Sequence, residues 1–360
     1  MLHPIRVPSC SPALEWIVQL QRDLLVKLCE PATTAAIVTP EWIAAIRPDC
    51  SAWLKRFAQW THNKCGLISA MRTIASATSA QKRAIFTYFE TSQAFPESFD
   101  STVFSPTVIS DVQSLGADAF VSCLRTLLEA FYELALQRGL PIDVHGNSGH
   151  NFDRSQFVEI FKKENFDRVC PFCDGDMNGP QVDHWLPKSK YPALSCHPKN
   201  LVPVCYRCNS RECKGEQCPI TPANHRPFDD WFHPYERPAH ANLTVNVTGS
   251  QVSLVNADPD QQTRLNNLDS LLKLTPRWSE EYKRQASHYL RQLYHKVRKN
   301  KIKPTPNELL HTISEWLDEI TAEETRMAHS IIRRIVLEQV NTEESPDFSA
   351  WLQHAEDVLA

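Results

Sequence analysis

Cys170-Pro-Phe-Cys173 and Cys205-Tyr-Arg-Cys208 form two Cys-x-x-Cys pairs. Two intervening residues let both sulfurs of a pair reach one ion. Four thiolates saturate a tetrahedral zinc and leave it no open position for chemistry. The expected zinc is therefore structural, a staple for the 31 residues between the pairs (174–204), which have little core of their own. A second grouping stays open on spacing, Cys205 and Cys208 with Cys213 and Cys218, although it leaves Cys170 and Cys173 unemployed. The enclosed residues are not those of a plain staple. Asp183 and His184 follow the short approach Gln181-Val182, Asn200 precedes Leu201-Val202-Pro203-Val204, and Asn209 follows Cys208 directly. Asp183 and Asn209 offer the hard oxygen atoms that Mg²⁺ prefers. An imidazole that titrates near neutrality can take a proton from water. One divalent ion can stabilise both a phosphate and its leaving oxygen. Lys188 and Lys190, in Pro-Lys-Ser-Lys, are placed to meet phosphates, and Arg207 and Lys214 are further candidate nucleic-acid contacts.

These residues need elements to hold them. The run 181–184 and the run 201–204 read as strands joined by a loop, and CYRCNSRECKG (205–215) reads as a short helix. Within a strand Asp183 and His184 would point to opposite sides, unless the strand is ending there.

In type and order, Cys-x-x-Cys, Val-Asp-His-x-x-Pro-Lys-Ser, Asn-Leu-Val-Pro and Cys-x-x-Cys-Asn resemble the HNH (ββα-metal) endonucleases, in the zinc-stapled variant with Asn as third signature residue. The likeness covers about 170–215. It implies that Asp183 and Asn209 ligate a catalytic Mg²⁺ or Mn²⁺, that His184 is the general base, and that Asn200 orients His184 through a backbone contact. The family's lysine after the last Cys-x-x-Cys-Asn has its counterpart later here, at Lys214. Pro-Lys-Ser-x-Tyr-Pro followed by Asn-Leu-Val-Pro further resembles the HNH effectors of bacterial anti-phage systems, which implies a protein partner such as an ATPase or a sensor.

The flanks read as helical. In 13–29, Leu14, Ile17, Val18, Leu24, Leu25 and Leu28 share a broad face. Thr39-Pro40 is a helix start, and 117–139 is a helix with Gly139 just past its end. The Gly-, Asn- and Ser-rich 139–152 reads as a boundary, where His145 and His150 are ordinary loop histidines, and 154–166 as a short helix. Residues 243–255 alternate around Thr-Gly-Ser as a hairpin, and 276–299 and 305–340 carry the strongest later helices. The expected fold is thus mainly α with an inserted small α+β zinc-bound nuclease domain and one further hairpin. The expected domains are 1–150 (helical), 151–240 (nuclease) and 241–360 (hairpin plus helices with a basic helix).

Across 360 residues the formal charge is −4, but the cations are clustered. Residues 184–226 hold seven Lys/Arg against two Glu, and 282–303 hold eight Lys/Arg and no acid, interleaved with Tyr282, Tyr289 and Tyr294. Local patches of this kind suit a nucleic-acid site confined to one face, or simply a solvated helix face. No apolar run reaches the ~18 residues of a membrane helix, and the opening residues lack the order of a signal peptide. A cytoplasmic protein is expected, with the Asn-x-Thr triplets at Asn242 and Asn246 as chance matches. Taken together, the expectation is a metal-dependent endonuclease acting on DNA and restrained or activated by a partner or signal. The rivals are an RNA (tRNA) nuclease toxin and a zinc-dependent nucleic-acid-binding module without catalysis.

Overall fold

The computed structural model describes residues 2–95, 106–116, 118–165, 167–221, 227–300, 304–324, 326–341 and 344–357. His225, Arg226, Lys301 and Lys303 lie outside them. The described chain is mainly helical, with four small two-stranded antiparallel sheets.

The first part comprises α1 (Ser11–Cys29), α2 (Pro40–Ala44), α3 (Ser51–Ala58), the two-residue strands β1 (Thr61–His62) and β2 (Cys65–Gly66), α4 (Leu67–Ala75), α5 (Ser79–Gln93) and α6 (Asp118–Ala130). The Thr39 side chain caps α2 by accepting from Trp42 N at 3.2 Å, with Pro40 in the first position. Leu14, Ile17, Leu24, Leu25 and Leu28 of α1 are buried, as their spacing requires. One feature departs from a plain α-helix: α6 widens into a π-helical stretch at Phe131–Leu136. Such bulges interrupt the regular ladder and turn side chains to new directions.

The Gly- and Asn-rich 139–152 is a hairpin, not just a linker. β3 (Leu140–Ile142) pairs with β4 (Ser148–Phe152), and the tip closes because the Asp143 carboxylate accepts from the backbone N–H of His145 and Asn147, each at 2.8 Å. His145 is exposed on that tip. After α7 (Arg154–Glu164), itself started by an Asp153/Gln156 capping box, come the knuckles, β5 (Gln181–His184), β6 (Leu201–Val204) and α8 (Tyr206–Asn209). The expected hairpin is β7 (Thr244–Thr248) with β8 (Gln251–Val255), turning at Gly249 with φ +61°. The remainder is α9 (Pro259–Leu272), α10 (Leu274–Asn300), α11 (Pro306–Ala322), α12 (Ser330–Val340) and α13 (Pro346–Asp357). The periodicity over 305–340 is thus carried by two helices, and His329, at φ +63°, turns the chain just before the second.

Two hydrophobic cores result. One gathers α1 to α7 with the first two hairpins, and Ala193, Cys196 and Leu201 reach into it from the loop and strand that follow Asp183-His184. The other joins the knuckles, β6, the later hairpin and α9 to α13. Leu2 and Ile5 also enter this second core, where Leu2 N and His3 N both donate to Pro171 O at 3.0 Å. No described helix is long and apolar enough to cross a membrane.

Candidate metal centre and cleft

The sulfurs of Cys170, Cys173, Cys205 and Cys208 lie within 4.8 Å of one another, and all four residues are buried. Zinc–thiolate bonds of ~2.3 Å in a tetrahedron put the sulfurs about 3.8 Å apart, and Cys173 Sγ and Cys205 Sγ are 3.8 Å apart. The donor set fits a structural zinc. Cys213, of the rival grouping, donates instead to Leu272 O at 3.5 Å.

Asp174, directly after Cys173, is fully buried with φ +62°. Its carboxylate accepts from His3 Nε2 at 2.9 Å, Ser330 Oγ at 3.2 Å and Ile331 N at 2.9 Å. A left-handed aspartate is tolerated where its side chain is tied this firmly. The first knuckle is therefore gripped by the N-terminal segment and by α12.

β5 and β6 pair antiparallel in the register Gln181↔Val204, Val182↔Pro203, Asp183↔Val202 and His184↔Leu201. Pro203 is tolerated because each strand of a two-stranded sheet has a free edge. α8 then delivers Asn209. The strand–loop–strand–helix order is present, although the helix is only four residues long.

Asp183, His184 and Asn209 line one cleft of about 780 Å³. β5 ends at His184, so neighbouring side chains reach the same space. His184 is buried, and its Nε2 lies 3.0 Å from Ser195 O. A carbonyl only accepts, so Nε2 carries the proton and donates, leaving the lone pair on Nδ1. Tyr132, in the π-helical stretch, packs edge-on to the ring at 4.4 Å between centroids. Burial first, then the charge of Lys188, hold the imidazole well below its ordinary range, so it is neutral at pH 7.

Asn200 is fully buried, and its side-chain hydrogen bonds go to the loop and not to the His184 ring. Its Oδ1 accepts from Leu186 N at 2.7 Å, and its Nδ2 donates to Leu186 O at 3.1 Å and Leu194 O at 3.0 Å. It clamps both ends of the loop whose next carbonyl, Ser195 O, receives His184. Asn209 Nδ2 donates to Gln181 Oε1 at 2.8 Å.

Lys214, read from the sequence as a phosphate contact, requires correction. Its side chain is fully buried, with Nζ 3.1 Å from Asp183 Oδ1, 2.9 Å from Asp183 Oδ2 and 2.6 Å from His184 O. Burial raises the Asp183 carboxyl above its usual range, and the Lys214 charge opposes that rise. Asp183 and Asn209 share the cleft, but a divalent ion would meet an aspartate already neutralised by an ammonium. The donor set thus fits a catalytic metal only if Lys214 yields its place.

Of the other expected contacts, Lys188 lines the cleft with Nζ 3.0 Å from Glu133 Oε1, whereas Lys190 and Arg207 are exposed outside the lining. Arg154, Lys162 and Arg211 also line it, beside Glu133, Glu159 and Glu216, so its charge is mixed. Sequence reasoning missed the residues from α6 and α7. Only the amphipathic character of 154–166 hinted at a polar face, and nothing local linked it to His184. On α10, Leu293 and Val297 are buried and Leu290 and Tyr294 half-buried, with Lys283, Arg284, Lys296 and Arg298 outward. Lys283, Arg284 and Lys296 are engaged by Glu280, Glu281 and Glu315.

No family model matches the chain, and no solved structure matches it. A segment is similar to protein ea31 of Escherichia phage lambda, 33% identical over 89 residues. The match takes in 22% of this chain and 28% of that protein, so the chain spans under a third of its relative's length.

Proposed function

We propose that this chain is an HNH-type endonuclease that hydrolyses phosphodiester bonds, with DNA as substrate and its restraint or activation vested in a partner or signal. The carrying observation is the juxtaposition in one cleft of a neutral His184, its Nε2 committed to Ser195 O and its lone pair left on Nδ1, with Asp183 and Asn209. Nδ1 accepts the proton of a water as the water attacks phosphorus. The Ser195 carbonyl steadies the imidazolium that forms. Arg154 and Arg211 hold the phosphates, and Lys188 joins them only when it leaves Glu133. Asp183 and Asn209 would hold a divalent cation once Lys214 has released Asp183, and the cation would supply charge stabilisation at the departing oxygen.

One observation favours a second reading. The Lys214 ammonium held by Asp183 is the arrangement a zinc-stapled nucleic-acid-binding module without catalysis would have. An RNA nuclease would use the same chemistry. The test is incubation of the zinc-loaded chain, freed of other metals by exchange into metal-free buffer, with supercoiled plasmid and with tRNA. Mg²⁺- or Mn²⁺-dependent nicking of plasmid is expected. Cutting of tRNA alone moves the substrate to RNA, and salt-sensitive binding without cutting of either supports the binding module.

A further inference from the structure

The knuckles are not completed by their own segment. Arg277 stands in the first turn of α10, 69 residues after Cys208. Its Nη2 lies 3.0 Å from Cys173 Sγ and its Nη1 3.5 Å from Cys208 Sγ, so one guanidinium spans one sulfur from each knuckle. Nη1 also donates to Leu272 O at 2.9 Å, which fixes the fork at the end of α9. The next residue, Trp278, is buried and donates its Nε1–H to Cys173 O at 3.1 Å. A further donor, Cys205 N, reaches Cys170 Sγ at 3.3 Å from within the knuckles.

We infer that Arg277 is a positioning residue of the zinc centre, which shields its thiolates and ties retention of the metal to the docking of α10. Four thiolates around Zn²⁺ leave a net charge of about −2, and such charge in a buried site is costly unless compensated. Arginine is the side chain suited to compensate it: always charged, planar, and with several N–H groups set in a fixed fork. A hydrogen bond into a thiolate occupies the electron density that a proton or an electrophile must attack. Partners of this kind around ligands tune metal affinity about 10- to 100-fold. The inference rests on the zinc reading of the four cysteines and on nothing about hydrolysis.

The experiment uses the full zinc-loaded chain. Total zinc is measured by mass spectrometry, and its release to a colorimetric chelator is timed after addition of a small thiol-blocking disulfide reagent. Arg277→Met is expected to bind one zinc and to release it about tenfold faster or more. Arg277→Lys should fall between it and wild type, because an ammonium cannot span both sulfurs. Trp278→Phe, which removes the neighbouring hydrogen bond and keeps the charge, should stay within about twofold of wild type. Release from Arg277→Met at the wild-type rate overturns the inference. So does Trp278→Phe releasing as fast as Arg277→Met, since docking alone would then explain retention. If Arg277→Met does not fold, a wild-type rate in Arg277→Lys overturns it. A wild-type chain that purifies without zinc overturns the zinc reading itself, a separate result.

Discussion

Lys214 is a cation whose sequence context and whose surroundings say opposite things. It follows the second knuckle in a basic stretch, where a phosphate contact is the natural reading, yet it lies buried against Asp183 and the His184 carbonyl. Removing one partner of a buried pair leaves the other charge uncompensated, at a cost of about 3–5 kcal/mol. Lys214→Ala is therefore expected to lose stability of that order in urea unfolding, with zinc present throughout. Exposed Lys190→Ala should stay within about 0.5 kcal/mol of wild type. Equal, small losses would mean that Lys214 is not held as described. The donors Asp183, His184, Asn200 and Asn209 were legible because they crowd into a short segment between two fixed spacings. Which lysine of that segment is buried was not, since that depends on how the turn after α8 folds back onto β5 and brings Lys214 to Asp183.

At the scale of elements, the β5–β6 ladder, its loop and α8 follow from local pattern. The alternation is short, the turn residues are explicit, and the knuckles fix both ends. The hairpin of β3 and β4 and the π-helical stretch after α6 did not show. The first looks like a linker because its turn chemistry outweighs strands of three and five residues. The second lies where α6 meets the loop after His184, with Ser195 Oγ donating to Leu128 O at 3.1 Å, a neighbour 67 residues away that no local pattern signals. That loop contains His197, whose Nδ1 accepts from Lys199 N at 3.3 Å while its ring stacks on Phe95 at 4.9 Å between centroids. Burial and the charge of Lys199 bring its pKa down to about 4, and buried His233 shifts the same way. The unfolded chain takes up protons near pH 6.5 that the folded chain refuses. The stability these groups contribute is complete above about pH 6.5 and is lost as pH falls towards 4. His197→Asn keeps an acceptor for Lys199 N and cannot titrate. Melting of both proteins from pH 7.5 to 4 should show the mutant losing less stability on acidification, by at most about 3 kcal/mol. Parallel curves would remove His197 from the account.

At the scale of the whole molecule, the cleft is built by parts of the chain far apart in sequence. Tyr132 and Glu133 come from the N-terminal helices, and Asp183 and His184 from the segment between the knuckles, while beside the cleft Arg277 of α10 reaches the sulfurs of Cys173 and Cys208. Single-sequence reasoning detects neighbours along the chain, so it singled out Asp183, His184 and Asn209 together and missed the residues of distant helices that line the same cleft. Glu133 is the link with functional reach, because it engages Lys188 across the cleft at 3.0 Å. Under the proposed function that pair holds a phosphate-binding cation in reserve. Glu133→Gln should release it, strengthening DNA binding several-fold at low salt and steepening the log–log salt dependence by about 0.9 for one added phosphate contact. Fluorescence anisotropy across a salt series reads both, and an unchanged slope would show that Lys188 does not reach phosphate.

The central claim is that His184 is the base of a hydrolytic centre, and its rate contribution is the most direct thing to measure. Cleavage would be timed under single-turnover conditions for wild type and His184→Ala, with zinc content and melting temperature checked on both. The account predicts loss of about 10²- to 10⁴-fold in rate, with zinc and fold retained. Cleavage by His184→Ala at the wild-type rate would contradict it.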